Sequence, residues 1–275
     1  VTEIATLIKN PYAIYAKKVL NLKKLENFEY TSDPRNKGNL IHATLEQFIF
    51  ENYEYFPDSK EACDLLSKKF NSVLEKAKIP VEIKSVWKAQ FENRIKPIIS
   101  LEEHRRLIGK PYALEAFGKF NIKLKNGEKF LVTAKADRVD KGPDGFFIYD
   151  YKTGQISKQN LEKFSPQLDI EALMLFDGAF GKVSPSDGLV LALIGLGNKP
   201  NQYEKTVTEE NLEQWTMGLI KIIEKMKIEL SAFEAYGGTL KQNNFPDDFH
   251  HLSRFGEWND NEAANEIVVE LPVRK

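Results

Sequence analysis

Two apolar segments between Lys129 and Gly154 are separated by Gly142-Pro143-Asp144-Gly145. Glycine, proline and aspartate in such a run are turn chemistry, so the stretch reads as two strands folded back antiparallel. With the turn centred between Pro143 and Asp144, residues equidistant from that centre face each other, and Asp137 falls opposite Asp150. Directly opposed residues carry Cβ atoms roughly 4.5–5.5 Å apart, and like charges there destabilise a sheet. A divalent cation between the two carboxylates removes that cost, since hard cations prefer oxygen ligands. Side chains alternate along a strand, which puts Lys152 on the side of Asp150, one step further on. Two acids and an ammonium so placed suit hydrolysis of a phosphodiester.

The plainer reading is a half-exposed sheet with ordinary surface charges. The flanks weigh against it. Phe146-Phe147-Ile148-Tyr149 is a continuous apolar run, the mark of a strand buried on both faces, and Leu131-Val132 gives its partner similar character. Buried carboxylates need a partner or a metal.

At 275 residues the chain is long enough for one large domain or two small ones. Its 39 Lys and Arg balance 40 Asp and Glu, so net charge gives no sign of a polyanion partner, and nucleic-acid contact requires a local basic patch. No stretch approaches the roughly 18 apolar residues of a membrane span, and the first twenty residues are not a signal peptide. Cys63 is the only cysteine, which excludes an internal disulfide or a cysteine metal cage and suits the reducing cytoplasm, the expected location. The start at Val1 suggests a piece of a longer protein.

Apolar spacing predicts a helix over 2–20 with Thr2 as N-cap and Pro11 interrupting, a loop over 21–38, and a helix over 39–53 that sets His42 on the face of Leu45 and Ile49. A histidine there is usually a core residue, and it is also a possible ligand. Two or three helices follow over 58–78 and 80–108. Their polar faces carry many bases, including Lys68, Lys88, Arg94, Arg105 and Arg106, with acids interleaved, so they read as solvated faces or a path for nucleic acid. A strand over 112–124 returns at Asn126-Gly127, a hairpin signal. Pro166 opens a helix carrying Gln167, Leu168 and Leu173 to Phe180. An apolar strand over 187–196 and a shorter one over 202–207 precede a helix capped by Thr208 and Asn211 and running to about Tyr236. His250 and His251 are adjacent and face different ways, so they read as non-ligands. Residues 264–275 read as a short strand or tail.

Four local patterns, in this order, carry a resemblance: Gly38 to Glu46 around His42, Ala136-Asp137-Arg138-Val139-Asp140, Ile148-Tyr149-Asp150-Tyr151-Lys152-Thr153-Gly154, and Ser165-Pro166-Gln167-Leu168. Together with the opening Asn10-Pro11-Tyr12 they resemble the PD-(D/E)XK nuclease superfamily, and within it the RecB-type nuclease domains of the AddB branch. The resemblance implies an α/β fold, a restriction-endonuclease-like mixed sheet flanked by helices, with an N-terminal helical part over 1–110 and the nuclease core over 111–275 in one integrated domain. It implies Mg²⁺ or Mn²⁺ held by His42, Asp137, Asp150 and the carbonyl of Tyr151. Lys152 would orient the attacking water, Gln167 would place Lys152 or the phosphate, and Glu46 would support His42. The implied activity is exonucleolytic cleavage of a DNA strand, the 5′-ended one, fed by a helicase in recombinational double-strand break repair. The implied partners are DNA, an AddA-like helicase–nuclease subunit and the rest of a longer chain. Many members of the branch hold an iron–sulfur cluster with four cysteines; Asn10 stands at the first of these places, so no cluster is expected. The glutamine motif of the family often continues to a tyrosine where this chain has Glu171. A catalytically dead binding module and a stand-alone exonuclease are the alternatives.

Overall fold

The computed structural model describes residues 1–24, 34–158, 166–183, 187–227, 233 and 248–253. Five strands form one mixed sheet in the order β1 (Lys110–Lys123), β2 (Lys129–Lys141), β3 (Gly145–Lys152), β4 (Gly188–Gly195) and β5 (Asn201–Thr206). All neighbours are antiparallel except β3 and β4. The parallel pair requires a crossover, which carries α6 (Pro166–Phe176).

Helices cover both faces. One cluster joins α6 and α7 (Glu209–Met226) to Val139, Ile148, Leu191 and Leu193. The other joins α3 (Pro34–Glu51), α4 (Ser59–Lys76) and α5 (Val81–Ile108) to Tyr149, Tyr151, Ala192 and Ile194. Alternate residues of β3 and β4 thus feed opposite cores, which explains their unbroken apolar sequence. Between α4 and α5, Phe70 and Phe91 stack with ring centroids 3.9 Å apart, a pairing that adds about 0.5–1.5 kcal/mol to simple burial.

Several boundaries depart from the sequence-based expectation. Thr2 is the first residue of α1 (Thr2–Lys9), and Val1 stands at the cap. Pro11 opens α2 (Pro11–Ile14), with the Asn10 side chain accepting from the Ala13 N–H, and the chain widens into a π-helical turn at Tyr15–Val19. Helix α3 begins at Pro34 rather than near residue 39: proline suits a first turn, where its missing N–H has no helical partner to lose. Thr208 and Asn211 form the expected capping box. Residues 25–33 and 254–275, most of the expected irregular segment over 243–261, and the end of the long helix after Lys227 lie outside the described residues. His250–Ser253 form one short turn, α8.

Arg138 is 0% exposed. It donates to Asp140 from Nε at 2.6 Å and Nη2 at 2.7 Å, and from both terminal nitrogens to Glu102 of α5. Arg105 and Arg106 bind Glu102 as well. Burial alone would raise the Glu102 pKa, but Arg138 and Arg105 outweigh it and hold the carboxyl well below the usual range. Arg94, also buried, donates to the Leu196 carbonyl and to Asn198. Arg94 and Arg105 therefore clamp helix to sheet, and Arg106 ties α5 to the Tyr53 carbonyl, so these three bases are spent on packing rather than on a nucleic-acid path.

Candidate metal centre

Strands β2 and β3 pair over four residues only, from Lys141 with Phe146 to Arg138 with Tyr149. This is the register that sets Asp137 against Asp150, and those two residues stand one step past the last backbone pair, where the strands part. The Asp137 carboxylate continues the ladder by accepting the Tyr151 N–H at 2.9 Å. Helix α3 reaches the fork from the other side. His42 Nε2 lies 3.1 Å from the Tyr151 carbonyl oxygen, and Nδ1 lies 3.5 Å from Asp137 Oδ2. Asp150 is buried; its Oδ1 accepts from Lys152 Nζ at 2.9 Å and from Gln167 Nε2 at 3.4 Å, while Oδ2, 2.7 Å from the same ammonium, has no hydrogen-bond partner among the described residues. All four expected ligands and all three expected supporting residues, Lys152, Gln167 and Glu46, border one open cleft of about 850 Å³.

The expected support of His42 by Glu46 takes a different form. Glu46 lines the cleft, but the ring nitrogens of His42 face Asp137 and the Tyr151 carbonyl. Gln167 holds Asp150 and Glu171 rather than Lys152. Glu171 is 1% exposed, and its Oε2 has no hydrogen-bond partner among the described residues.

Glu115 of β1 is the site residue that sequence reasoning missed. A carboxylate oxygen of Glu115, one of Asp137 and a ring nitrogen of His42 all lie within 4.8 Å of one another. Glu115 binds Lys135 and has φ +46°, a conformation that side chains other than glycine seldom adopt and that tends to occur at functional sites. Strand alternation breaks here. Ala113 and Val139 face the α6 side, and so do Ala116 and Ala136, three residues away instead of two. The left-handed residue rotates the ribbon and brings Glu115 to the cleft. A two-residue turn at Asn126-Gly127 would set Ala116 opposite Asp137. The actual loop has three residues, with Gly127 at φ +85° and Leu124 paired with Glu128, and this moves Glu115 into that place.

The electrostatics fit a divalent cation. Burial, with Asp150 adding to it and His42 opposing, raises the Asp137 pKa to about 6. Burial raises Asp150 despite Lys152, and raises Glu171 well above its ordinary value. Carboxylates crowded and desolvated in this way are costly as anions unless a positive charge joins them. An imidazole, three carboxylates and a carbonyl form a mixed nitrogen and oxygen donor set of the kind that binds such ions.

The chain matches the model of the PD-(D/E)XK nuclease superfamily over residues 1–238. It is 30% identical over 285 aligned residues to an uncharacterized protein of Rickettsia conorii, covering 92% of this chain and 33% of that protein. It is 28% identical over 189 residues to an ATP-dependent helicase/deoxyribonuclease subunit from Clostridium perfringens, covering 61% of this chain and 16% of that one. The chain thus spans a third or less of the length of these relatives. A crystallised protein of Eubacterium rectale superposes with a TM-score of 0.40 at 10% identity, over 78% of this chain and 73% of its own.

Proposed function

The chain belongs to the PD-(D/E)XK nuclease superfamily, and on that premise we propose that it hydrolyses DNA phosphodiesters with Mg²⁺ or Mn²⁺ held at the fork between β2 and β3. The observation that carries this reading is the convergence of His42, Asp137, Asp150 and the Tyr151 carbonyl beside Lys152. Bound there, a divalent cation supplies an acidified water and positive charge beside the phosphorus.

The protein's own groups do the rest. His42 and Asp137 are each held against Tyr151 by the protein itself, which lowers the cost of ordering the site. The Lys152 side chain remains 47% exposed while bound to Asp150. Its ammonium can therefore hold the attacking water or a phosphoryl oxygen and offset the charge that develops there. Gln167 donates to Asp150 Oδ1, the oxygen that also accepts from Lys152, and so helps to hold the carboxylate that orients the ammonium. Water adds to phosphorus and gives up a proton to solvent, the ester P–O bond opposite breaks, and the departing oxygen takes a proton from solvent.

The finer reading is an exonuclease that trims a single strand delivered by a helicase during recombinational double-strand break repair, working with an AddA-like subunit and the remainder of a longer chain. The likeness to a helicase/deoxyribonuclease subunit, together with the third or less of the relatives' length that this chain spans, supports it. Digestion of linear single-stranded DNA with Mg²⁺ or Mn²⁺ tests the core claim. Cleavage that needs the metal and is lost in Asp150→Ala is expected; undiminished cleavage by Asp150→Ala rejects the site.

A further inference from the structure

We propose that the outward face of the β1–β2 ribbon is a track for single-stranded nucleic acid leading into the metal centre; this rests on the nuclease reading of the cleft. Beyond Glu115 and Asp137 the two strands continue as a two-stranded ribbon without β3. Its inward face is Ala116, Ile122, Val132 and Ala134, packed on α6 and its neighbours. Its outward face alternates with these: Phe117 pairs with Lys135, Lys119 with Thr133, Asn121 with Leu131, and Lys123 with Lys129. All eight residues are exposed. Glu115 and Lys135 line the catalytic cleft, so the face begins where the site opens.

Charge and shape both favour a polyanion with open bases. Lys135 is matched by Glu115, and at the hairpin end Lys125 pairs with Glu224 and Lys227 with Glu128. Lys119, Lys123 and Lys129 have no acidic partner among the described residues. Lys123 lies directly opposite Lys129, a like-charge pairing that weakens a sheet and that phosphate would relieve. Phe117 is 61% exposed and Leu131 51%. Single exposed apolar residues are ordinary, but here they are interleaved with unpaired lysines on one face. Aromatic platforms beside backbone-tracking cations are how single strands are gripped without regard to sequence. Each same-face step along a strand is ~6.8 Å, the rise of two stacked nucleotides at ~3.4 Å each. A duplex hides its base faces and would leave Phe117 unused.

The test uses the 275-residue chain and a fluorescein-labelled 20-nucleotide oligo-dT in EDTA, read by anisotropy across a salt series. Replacing Lys119, Lys123 and Lys129 together by Glu should weaken binding at least tenfold. It should also flatten the slope of log affinity against log salt by about 2, since each lost single-strand phosphate contact contributes roughly 0.7. Phe117→Ala should weaken binding about tenfold by removing one stacking platform. Reversing Lys68, Lys78 and Lys88, exposed on the α4–α5 side, should change it less than twofold. If the triple variant unfolds, Lys123→Glu alone serves, because it replaces a repulsive cross-strand pair by an attractive one and should weaken binding without lowering the melting temperature. Wild-type affinity in the ribbon variants, equal loss in the control, or no oligo-dT binding by the wild type at low salt overturns the track. Competition by duplex as effective as by single strand, with Phe117→Ala silent, overturns its single-strand character. Because EDTA removes cleavage, this readout stands apart from the Asp150→Ala digestion: binding without cleavage refutes the nuclease reading alone, and cleavage without ribbon-dependent binding refutes the track alone.

Discussion

The Tyr151 N–H donates to Asp137 Oδ2 at 2.9 Å, one step after backbone pairing between their strands has ended at Arg138 and Tyr149. The side chain takes over from the main chain at the point where the strands separate. Asp137 is therefore positioned by the sheet and desolvated by it at once.

Asp137→Asn separates these two effects. The amide oxygen can still accept from Tyr151, while the crowded charge disappears. The metal-free variant should melt a few degrees higher than wild type at pH 7.5, as about 1 kcal/mol moves the midpoint by ~2–4 °C in a chain of this size. Its affinity for Mn²⁺ should fall at least tenfold and cleavage should be lost. Calorimetric melting and titration with Mn²⁺ check both; a lower melting temperature would show that the charge stabilises the fold.

The pH dependence follows from the same residue. The Asp137 pKa is about 6 in the fold and near 3.9 in an unfolded chain. Between those values the folded state holds a proton that the unfolded state lacks, so metal-free stability falls as pH rises through this window and this group adds nothing further above it. Metal ligands must be deprotonated, so Mn²⁺ affinity should drop as pH falls below about 6, by up to tenfold per unit for each proton displaced. Asp150 is shifted in the same direction. Mn²⁺ titrations at pH 5.0, 6.0 and 7.5 read the effect, and equal affinities at all three would contradict it.

Arg138→Ala should remove much of the stability. It leaves Glu102 and Asp140, 2% and 0% exposed, without their shared counter-ion. Breaking a buried ion pair from one side costs about 3–5 kcal/mol. Arg138→Lys should recover little, because one ammonium cannot bridge two carboxylates bidentately. Urea denaturation measures the loss directly; a midpoint within 0.3 M of wild type for Arg138→Ala would show the network to be dispensable.

Glu115→Gln tests the residue that only the fold reveals. If Glu115 shares the ion with His42 and Asp137, Mn²⁺ affinity should fall roughly ten- to hundredfold, the range seen when a metal site loses a supporting group. Unchanged affinity in the titration would restrict Glu115 to neutralising Lys135.

The paired acids were legible in the sequence because a short turn fixes register, and register fixes which side chains meet. His42 was legible only as one histidine on an apolar helix face; its approach to Tyr151 depends on how α3 crosses the sheet end. Glu115 was hidden by one residue of loop length at Lys125-Asn126-Gly127 and by a backbone conformation that no propensity assigns to glutamate. Arg138 and Asp140 read as companions of Asp137 in one motif, yet Arg138 binds Asp140 and also Glu102, 36 residues upstream, a pairing that only helix–sheet packing can create. Family resemblance pointed to the residues of the fork, and the loop geometry accounts for the one it left out.

Neighbouring residues Asp137 and Arg138 serve opposite sides of one strand, the first open to the cleft and the second sealed against α5. A slip of β2 by one position would place a guanidinium where the cation belongs in one direction, or a bare carboxylate among the tyrosines in the other. Misregistered chains are therefore both inactive and unstable, so the salt cluster behind the sheet acts as a proofreading device for the chemistry in front of it.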